Sequence, residues 1–369
     1  MPRADGRLLP ELPGVLTADQ VRATVAAIAA EQGADGALPW FRDGQLDPWD
    51  SVEAAMALDT GGEHNRARAA YRWLAARQRR DGSWAAEYRG GVETAPAAES
   101  NHAGYLAVGL WHSWLARGDE ELVAELWPVV RRGLDLVTRM QLPGGAVGWA
   151  LRPEGTPDDT ALLTGNASLF QALRCGIALA ALLGEAQPDW ELAVTDLGTA
   201  LRERPEAFAD RSRFSMDWYY PVLAGAVTGT AADERLAADW DRFVVPGLGA
   251  RCVADRPWVT GAETCELALA LAAVGRVEAA TEQVAAMQHL RHDDGSYWTG
   301  YVFADDARWP VERTTWTAAA VVLAADAISR ATPASGLFPD PGALPPAGTD
   351  TDLDAPADWL PGGAGTVLP

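Results

Sequence analysis

The sequence predicts an all-α protein built as an (α/α)6 barrel, a toroid of six helical hairpins. Three observations lead there. Apolar residues recur at the 3.6-residue helical period in twelve stretches, and almost no stretch shows the two-residue alternation of strands. The connections alternate between short turns and long loops rich in Trp, Asp and Gly. The helices alternate as well: even-numbered ones are apolar on most sides, odd-numbered ones carry charge along one face. An inner ring of buried helices inside an outer amphipathic ring satisfies all three, and it gathers the long loops at the N-termini of the inner helices.

The first hairpin spans 17–32 and 50–60, with Gln32…Gly36…Trp40 in its connection and Thr60-Gly-Gly as the turn that follows. The second, 63–78 and 99–117, opens on the charged face Glu63-His-Asn-Arg-Ala-Arg-Ala-Ala-Tyr-Arg. It carries Gln78-Arg-Arg-Asp-Gly-Ser-Trp84 and ends at Arg117-Gly-Asp. The third, 119–141 and 166–184, is split by Gln141-Leu-Pro-Gly-Gly-Ala-Val-Gly-Trp149 and closed by Gly184…Pro188. The fourth and fifth, 189–204 with 215–228 and 231–245 with 262–274, turn at Thr228-Gly-Thr and Gly275-Arg. The sixth, 277–290 and 312–330, holds Gln288…Asp294-Gly-Ser-Tyr-Trp298. One phrase thus recurs four times: Gln, a short Gly-containing loop, then Trp. The loops 206–214 and 246–258 are candidates for two degenerate copies. The toroid is assigned to 1–332. The Pro/Gly/Asp-rich segment 333–369 reads as a tail, disordered or draped over the barrel, with Trp359 as a possible anchor.

Composition narrows the chemistry. The 369 residues include 30 Arg, no Lys and 51 acidic residues, a net charge of −21. Without lysine there is no Schiff-base or pyridoxal-phosphate chemistry and no P-loop. An acidic surface repels phosphate, so neither nucleic acid nor an anionic membrane is an expected partner. The 48 % apolar content is that of a globular protein, and no run of about 18 apolar residues exists to span a bilayer. The N-terminus lacks the apolar core of a signal peptide, and Cys175, Cys252 and Cys265 lie in apolar surroundings without CxxC spacing. Together these features predict a cytoplasmic protein with reduced thiols. No cofactor motif is present, and His289-x-x-His292, at a helix end without a third-ligand pattern, is not read as a metal site. Trp occurs 16 times, more than the 7 Phe and 7 Tyr together.

The predicted rim concentrates carboxylates and aromatics: Asp47-Pro-Trp-Asp50-Ser-Val-Glu53, Glu99-Ser-Asn101-His102, Ser215-Met-Asp217-Trp218-Tyr219-Tyr220, Trp258-Val-Thr-Gly-Ala-Glu263-Thr-Cys-Glu266 and Glu312-Arg313-Thr-Thr-Trp316. Aromatic rings stack on the apolar faces of sugars, while carboxyl groups protonate a glycosidic oxygen and activate water. Asp50 and Glu263 rank first as the catalytic pair, followed by Asp47 and Asp217. Each has a structural alternative, because Asp50-x-x-Glu53 and Thr260-x-x-Glu263 both fit helix capping. Trp49, Trp218, Trp258, Trp309 and Trp316 lie outside the repeated phrase and are candidate sugar platforms, joined by Tyr219, Trp298, Arg313, Asn101 and His102. Trp40, Trp84 and Trp149 read as pins holding loops to helices, a role open to Trp298 as well.

Two resemblances follow from these segments. The phrase Gln78-Arg-Arg-Asp-Gly-Ser-Trp84 resembles the QW repeat of terpene cyclases and prenyltransferases, which are also α-toroids. It implies the fold and, as an alternative activity, a cyclase whose proton donor would be Asp158/Asp159; Thr156-Pro-Asp158-Asp159 lacks the first Asp of that family's DxDD motif. Over residues 12–335, the segments 39–56, 215–223, 258–267 and 312–317 are similar to a mycobacterial methylmannose polysaccharide hydrolase family. That resemblance implies an endo-α-1,4-mannanase acting on a cytoplasmic methylated mannan, and likeness to other toroidal glycosidases implies inversion. A glycan-binding toroid without catalysis is the non-enzymatic alternative.

Overall fold

The computed structural model describes residues 9–152 and 154–347, and Trp359 lies outside them. Thirteen helices run through these residues: α1 (Ala18–Glu31), α2 (Pro48–Gly61), α3 (His64–Ala75), α4 (Ser100–Arg117), α5 (Glu120–Arg139), α6 (Leu163–Leu182), α7 (Pro188–Glu203), α8 (Ser215–Leu223), α9 (Gly229–Ala238), the single turn α10 (Trp240–Phe243), α11 (Gly261–Ala273), α12 (Val277–Ala286) and α13 (Thr315–Ser329). Every predicted helix has a counterpart. The chief boundary corrections are at α8, which stops before Gly225 (φ +71°), and at the predicted 231–245, which is broken into α9 and α10.

Helices α2, α4, α6, α8, α11 and α13 each pack on the next, and α13 returns to α2, so the six close a ring. The other long helices flank it: α5 lies against α4 and α6, α12 against α11 and α13, and α1 against α13 and α2. Sequence accounts for the division. From Gly261 to Ala272 every residue of α11 is buried, so that helix needs apolar neighbours on all sides, whereas α5 buries only the stripe through Leu122, Leu126, Val130, Leu134 and Val137. Ring helices begin and end on local chemistry. At α2, Asp47 caps the start by accepting the Asp50 backbone N–H at 2.9 Å, Pro48 occupies the first turn, and Gly62 ends the helix at φ +91°.

The repeated phrase is a clamp between successive outer helices. The Gln78 side-chain amide donates to Gly82 O at 3.1 Å and to Val129 O of α5 at 2.8 Å. Gln32 does the same with Gly36 O and Arg66 O of α3, and Gln141 with Gly145 O and Ala193 O of α7. The glycine is required because the loop rests on the next helix's backbone: a Cβ on Gly82 (φ +100°) would stand 2.2 Å from Arg132 O. Gly295 repeats this contact against Ala23 of α1, joining the last outer helix to the first, although the Gln288 amide donates to Val284 O of its own turn and its oxygen accepts the Tyr297 hydroxyl, with no bond to the next helix. The loops 206–214 and 246–258 are not further copies; the first follows a 3-10 turn at Pro205–Ala207, and the second forms strand structure.

Strands are a correction to the all-helical reading. Among the described residues ten of them, each two to four residues long, occupy the long loops. They are β1 (Gln45–Leu46), β2 (Glu87–Arg89), β3 (Val92–Ala95), β4 (Ala98–Glu99), β5 (Ala150–Leu151), β6 (Val244–Val245), β7 (Gly249–Arg251), β8 (Trp258–Thr260), β9 (Gly300–Val302) and β10 (Ala307–Arg308). The five from β6 to β10 form one antiparallel sheet, with Val259 opposite Tyr301. Elements this short carry too few residues for alternation to register. Residues 333–347 drape over the helices: Leu337, Phe338 and Leu344 are buried, and the Arg174 guanidinium donates to Pro345 O at 2.7 Å and Leu344 O at 2.9 Å.

Candidate active site

The cap and first two turns of α2 and the first two turns of α11 bring five carboxyl groups together at one end of the ring: Asp47, Asp50, Glu53, Glu263 and Glu266. Asp50 follows the cap of α2. Removal from water, then the fields of Asp47 and Glu53, hold its carboxyl well above the usual carboxylate range. Glu263, in the first turn of α11, is 5 % exposed, and its Oε2 has no protein donor. The capping box predicted for it is absent: Thr260 makes no side-chain cap, and its carbonyl instead accepts the Thr264 hydroxyl at 2.5 Å. Beside Glu263 lies the Cys252 thiol, pushed up by burial and by that carboxylate, so it stays protonated.

Glu53 and Glu266 were missed as site residues, and each lies one turn beyond a predicted one. Glu53 Oε1 accepts the Trp49 indole N–H at 2.8 Å and the Tyr105 hydroxyl at 2.9 Å. Burial drives its pKa up to about 7 against those two hydrogen bonds, with Asp47 adding to the rise. Glu266 accepts the Tyr219 hydroxyl and is raised well above normal by burial and then by the nearby Glu53. The Tyr105 and Tyr220 hydroxyls are 3.4 Å apart, and the Trp49 ring lies 5.0 Å from Tyr105 and 5.5 Å from Tyr220. A floor of tyrosines and two buried carboxyls therefore underlies Asp50. The signal was present in the sequence: a Glu three residues after each candidate, inside an otherwise apolar helix, points to the same side.

A cavity of about 210 Å³ opens at this end, walled by Trp49, Asn101, Thr164, Arg211, Asp217 and Cys252 among others. Asp217 is 8 % exposed, and its Oδ1 accepts the Thr164 hydroxyl at 2.6 Å, which ties α8 to α6. Burial raises its pKa. Asp47 has both oxygens engaged, Oδ1 in the cap and Oδ2 with the Trp40 indole N–H at 2.8 Å, so it supports the loop before α2. His102 approaches Asp47 at 3.8 Å and Glu99 at 3.9 Å.

Several predicted binding residues have other surroundings. Trp218 belongs to the core: it is 4 % exposed, stacks on Phe243 at 5.3 Å, and donates its indole N–H to Arg235 O. Arg313 is committed to the loop after α12, reaching Asp294 at 2.6 Å and Ser296 at 2.8 Å, with its guanidinium over the Trp298 ring. Tyr219 is fully buried and serves the floor. Trp316 packs near Trp40 with ring centroids 6.3 Å apart. Trp258 and Trp309 pair edge to face at 4.9 Å on the sheet of β6 to β10, and Trp309 is 55 % exposed. His289 and His292 are turned to Leu248 O and to the Arg313–Asp294 cluster.

The cyclase alternative fails on these geometries. Asp158 accepts the Thr160 backbone N–H at 2.8 Å, which lowers its pKa, and Asp159 pairs with Arg152 at 2.7 Å on an exposed loop. A proton donor needs the reverse. At the ring mouth the chemistry is of another kind: carboxyl groups whose pKa burial raises, next to one with an uncommitted oxygen, are suited to acid and base roles at an ether-type bond.

No family model matches the chain. The MMP endo-(1,4)-3-O-methyl-α-D-mannosidase of Mycolicibacterium hassiacum is 55 % identical over 338 residues, which is 92 % of this chain and 94 % of that protein. Among solved structures, a glycosidase variant in complex with glucose matches with a TM-score of 0.66 at 17 % identity, over 87 % of this chain and 97 % of that one. A GH63 mannosylglycerate hydrolase from Thermus thermophilus in complex with glucose matches with a TM-score of 0.61 at 15 % identity, over 82 % and 99 %. At such identities the structural likeness is one of fold.

Proposed function

The chain belongs to the family of the MMP endo-(1,4)-3-O-methyl-α-D-mannosidase and is a glycoside hydrolase, and on that premise we propose that it cuts α-1,4-linked methylmannose polysaccharide at internal bonds. The closed ring of six helices is read as an (α/α)6 barrel, with residues 1–332 as the catalytic domain and 333–369 as an appended tail. Among the described residues no helix is long and apolar enough to cross a membrane, and Cys175, Cys252 and Cys265 are free thiols. Both support placement in the cytoplasm.

What supports the mechanism is that carboxyls of two different ring helices form one electrostatic cluster: Asp50 on α2 feels Glu266 of α11, and Glu266 in turn feels Glu263. Asp50, its carboxyl raised well above the usual carboxylate range by burial and then by its acidic neighbours, is assigned the acid and donates to the glycosidic oxygen as the bond breaks. Glu263 acts as the base: its Oε2 is free of protein donors and can take the proton of an attacking water. Attack by water opposite the leaving group inverts the anomeric carbon. Trp49 offers a ring for the sugar face, with Asn101 and His102 beside it. Trp258 and Trp309 are assigned to a more distant sugar.

A time course of methylated mannan with the wild-type protein tests this reading. Endo cleavage gives oligosaccharides of intermediate length at the earliest points, and proton NMR of fresh product shows the β-anomer. Monosaccharide released only from chain ends overturns the endo mode. Binding without new reducing ends would leave the toroid a glycan-binding protein.

A further inference from the structure

Beyond the mouth lies a second, larger space. Between the loop 205–212 and helix α9 is a cleft of about 780 Å³. The mouth cavity and this cleft share two wall residues, Arg211 and Asp217. Asp217 is therefore a partition seen from both sides, held in place by the Thr164 hydroxyl at 2.6 Å. The partition is braced from α9 as well: Arg235 donates to Asp217 O and to Trp218 O at 2.6 and 2.7 Å.

We propose that the cleft between the 205–212 loop and α9 holds the stretch of sugar chain leading away from the cleavage point. This inference rests on the hydrolase reading and extends it. The mouth alone, at about 210 Å³, is less than a third as large as the cleft, so a polymer bound across the mouth needs a path outwards. The cleft's chemistry selects the occupant. Phe208, Leu201 and Ala231 give it an apolar face, and the carboxylates of Glu206 and Glu234 repel a polyanion while accepting hydroxyl hydrogen bonds. A neutral, partly methylated glycan fits both properties.

The test compares methylated mannan with a short methylmannose oligosaccharide as substrates, using Phe208→Ala on one wall and Ala231→Trp on the other. Position 231 is exposed, so the added ring fills the cleft without entering the core. Thermal melting verifies folding, and the two walls give independent answers. The ratio of kcat/KM for polysaccharide to that for oligosaccharide is expected to fall about tenfold in each, mainly through KM, with a changed distribution of product lengths. A ratio within about twofold of wild type in the folded variants overturns the cleft alone. Absence of mannan cleavage by the wild type overturns both the cleft and the substrate reading.

Discussion

The indole N–H of Trp49 donates to Glu53 Oε1 at 2.8 Å, one helical turn away on α2. This bond orients a ring at the mouth by means of a carboxyl on the floor, and the same oxygen receives the Tyr105 hydroxyl at 2.9 Å. Floor and mouth ring are thus one unit, joined at Glu53.

Because burial raises Glu53 to about 7 in the folded chain, its protonated form is favoured there. The associated stability is complete below its unfolded value of about 4.5 and is lost as pH rises through 7. Glu53→Gln keeps the acceptor oxygen and removes the charge. Its melting temperature is expected to exceed wild type at pH 8, by up to about 3 kcal/mol in stability, and to match it near pH 4.5. Parallel melting profiles from pH 4.5 to 8 would contradict this.

The outer clamps give a second prediction. Gly82→Ala places a Cβ against Arg132 O at a backbone angle that alanine resists, and should cost about 3 kcal/mol. Gln78→Ala removes two bonds to carbonyls, one of them on the next helix, and should cost about 1–3 kcal/mol, more than Gln288→Ala, whose bonds to Val284 O and the Tyr297 hydroxyl stay within its own helix and loop. Urea unfolding of the three variants ranks them.

Trp309 tests the distant sugar position. It is 55 % exposed, so Trp309→Ala should leave the melting temperature within about 2 °C of wild type. Loss of a stacking face for sugar should raise KM for the polysaccharide about fivefold with kcat little changed. An unchanged KM would assign Trp309 to the surface alone.

The helical architecture was legible because its signals are local and long: periodicity over ten or more residues, and a Gln-Gly-Trp phrase whose members meet within one turn and the next helix. The strands were illegible because two to four residues cannot show a period. At the mouth, Asp50 and Glu263 could be picked out as charges beside tryptophans. Trp218 shows how an aromatic beside a carboxylate looks alike in sequence whether it lies open in a groove or, as here, packs mostly on Phe243 and the Arg235 backbone with only its margin in the wall of the larger cleft. Arg313 was misjudged similarly, since its partners Asp294 and Ser296 are separated from it by the loop containing β9 and β10. Glu53 and Glu266 needed only the helical period to be carried one turn further.

The central claim is that Asp50 and Glu263 are the acid and base of a hydrolase acting on methylated mannan. Its most direct test counts new reducing ends released from that polysaccharide by wild type, Asp50→Asn and Glu263→Gln, with melting curves recorded alongside. Cleavage by wild type and a loss of about a thousandfold or more in each folded variant is the predicted result. Wild-type rates in both variants would contradict it.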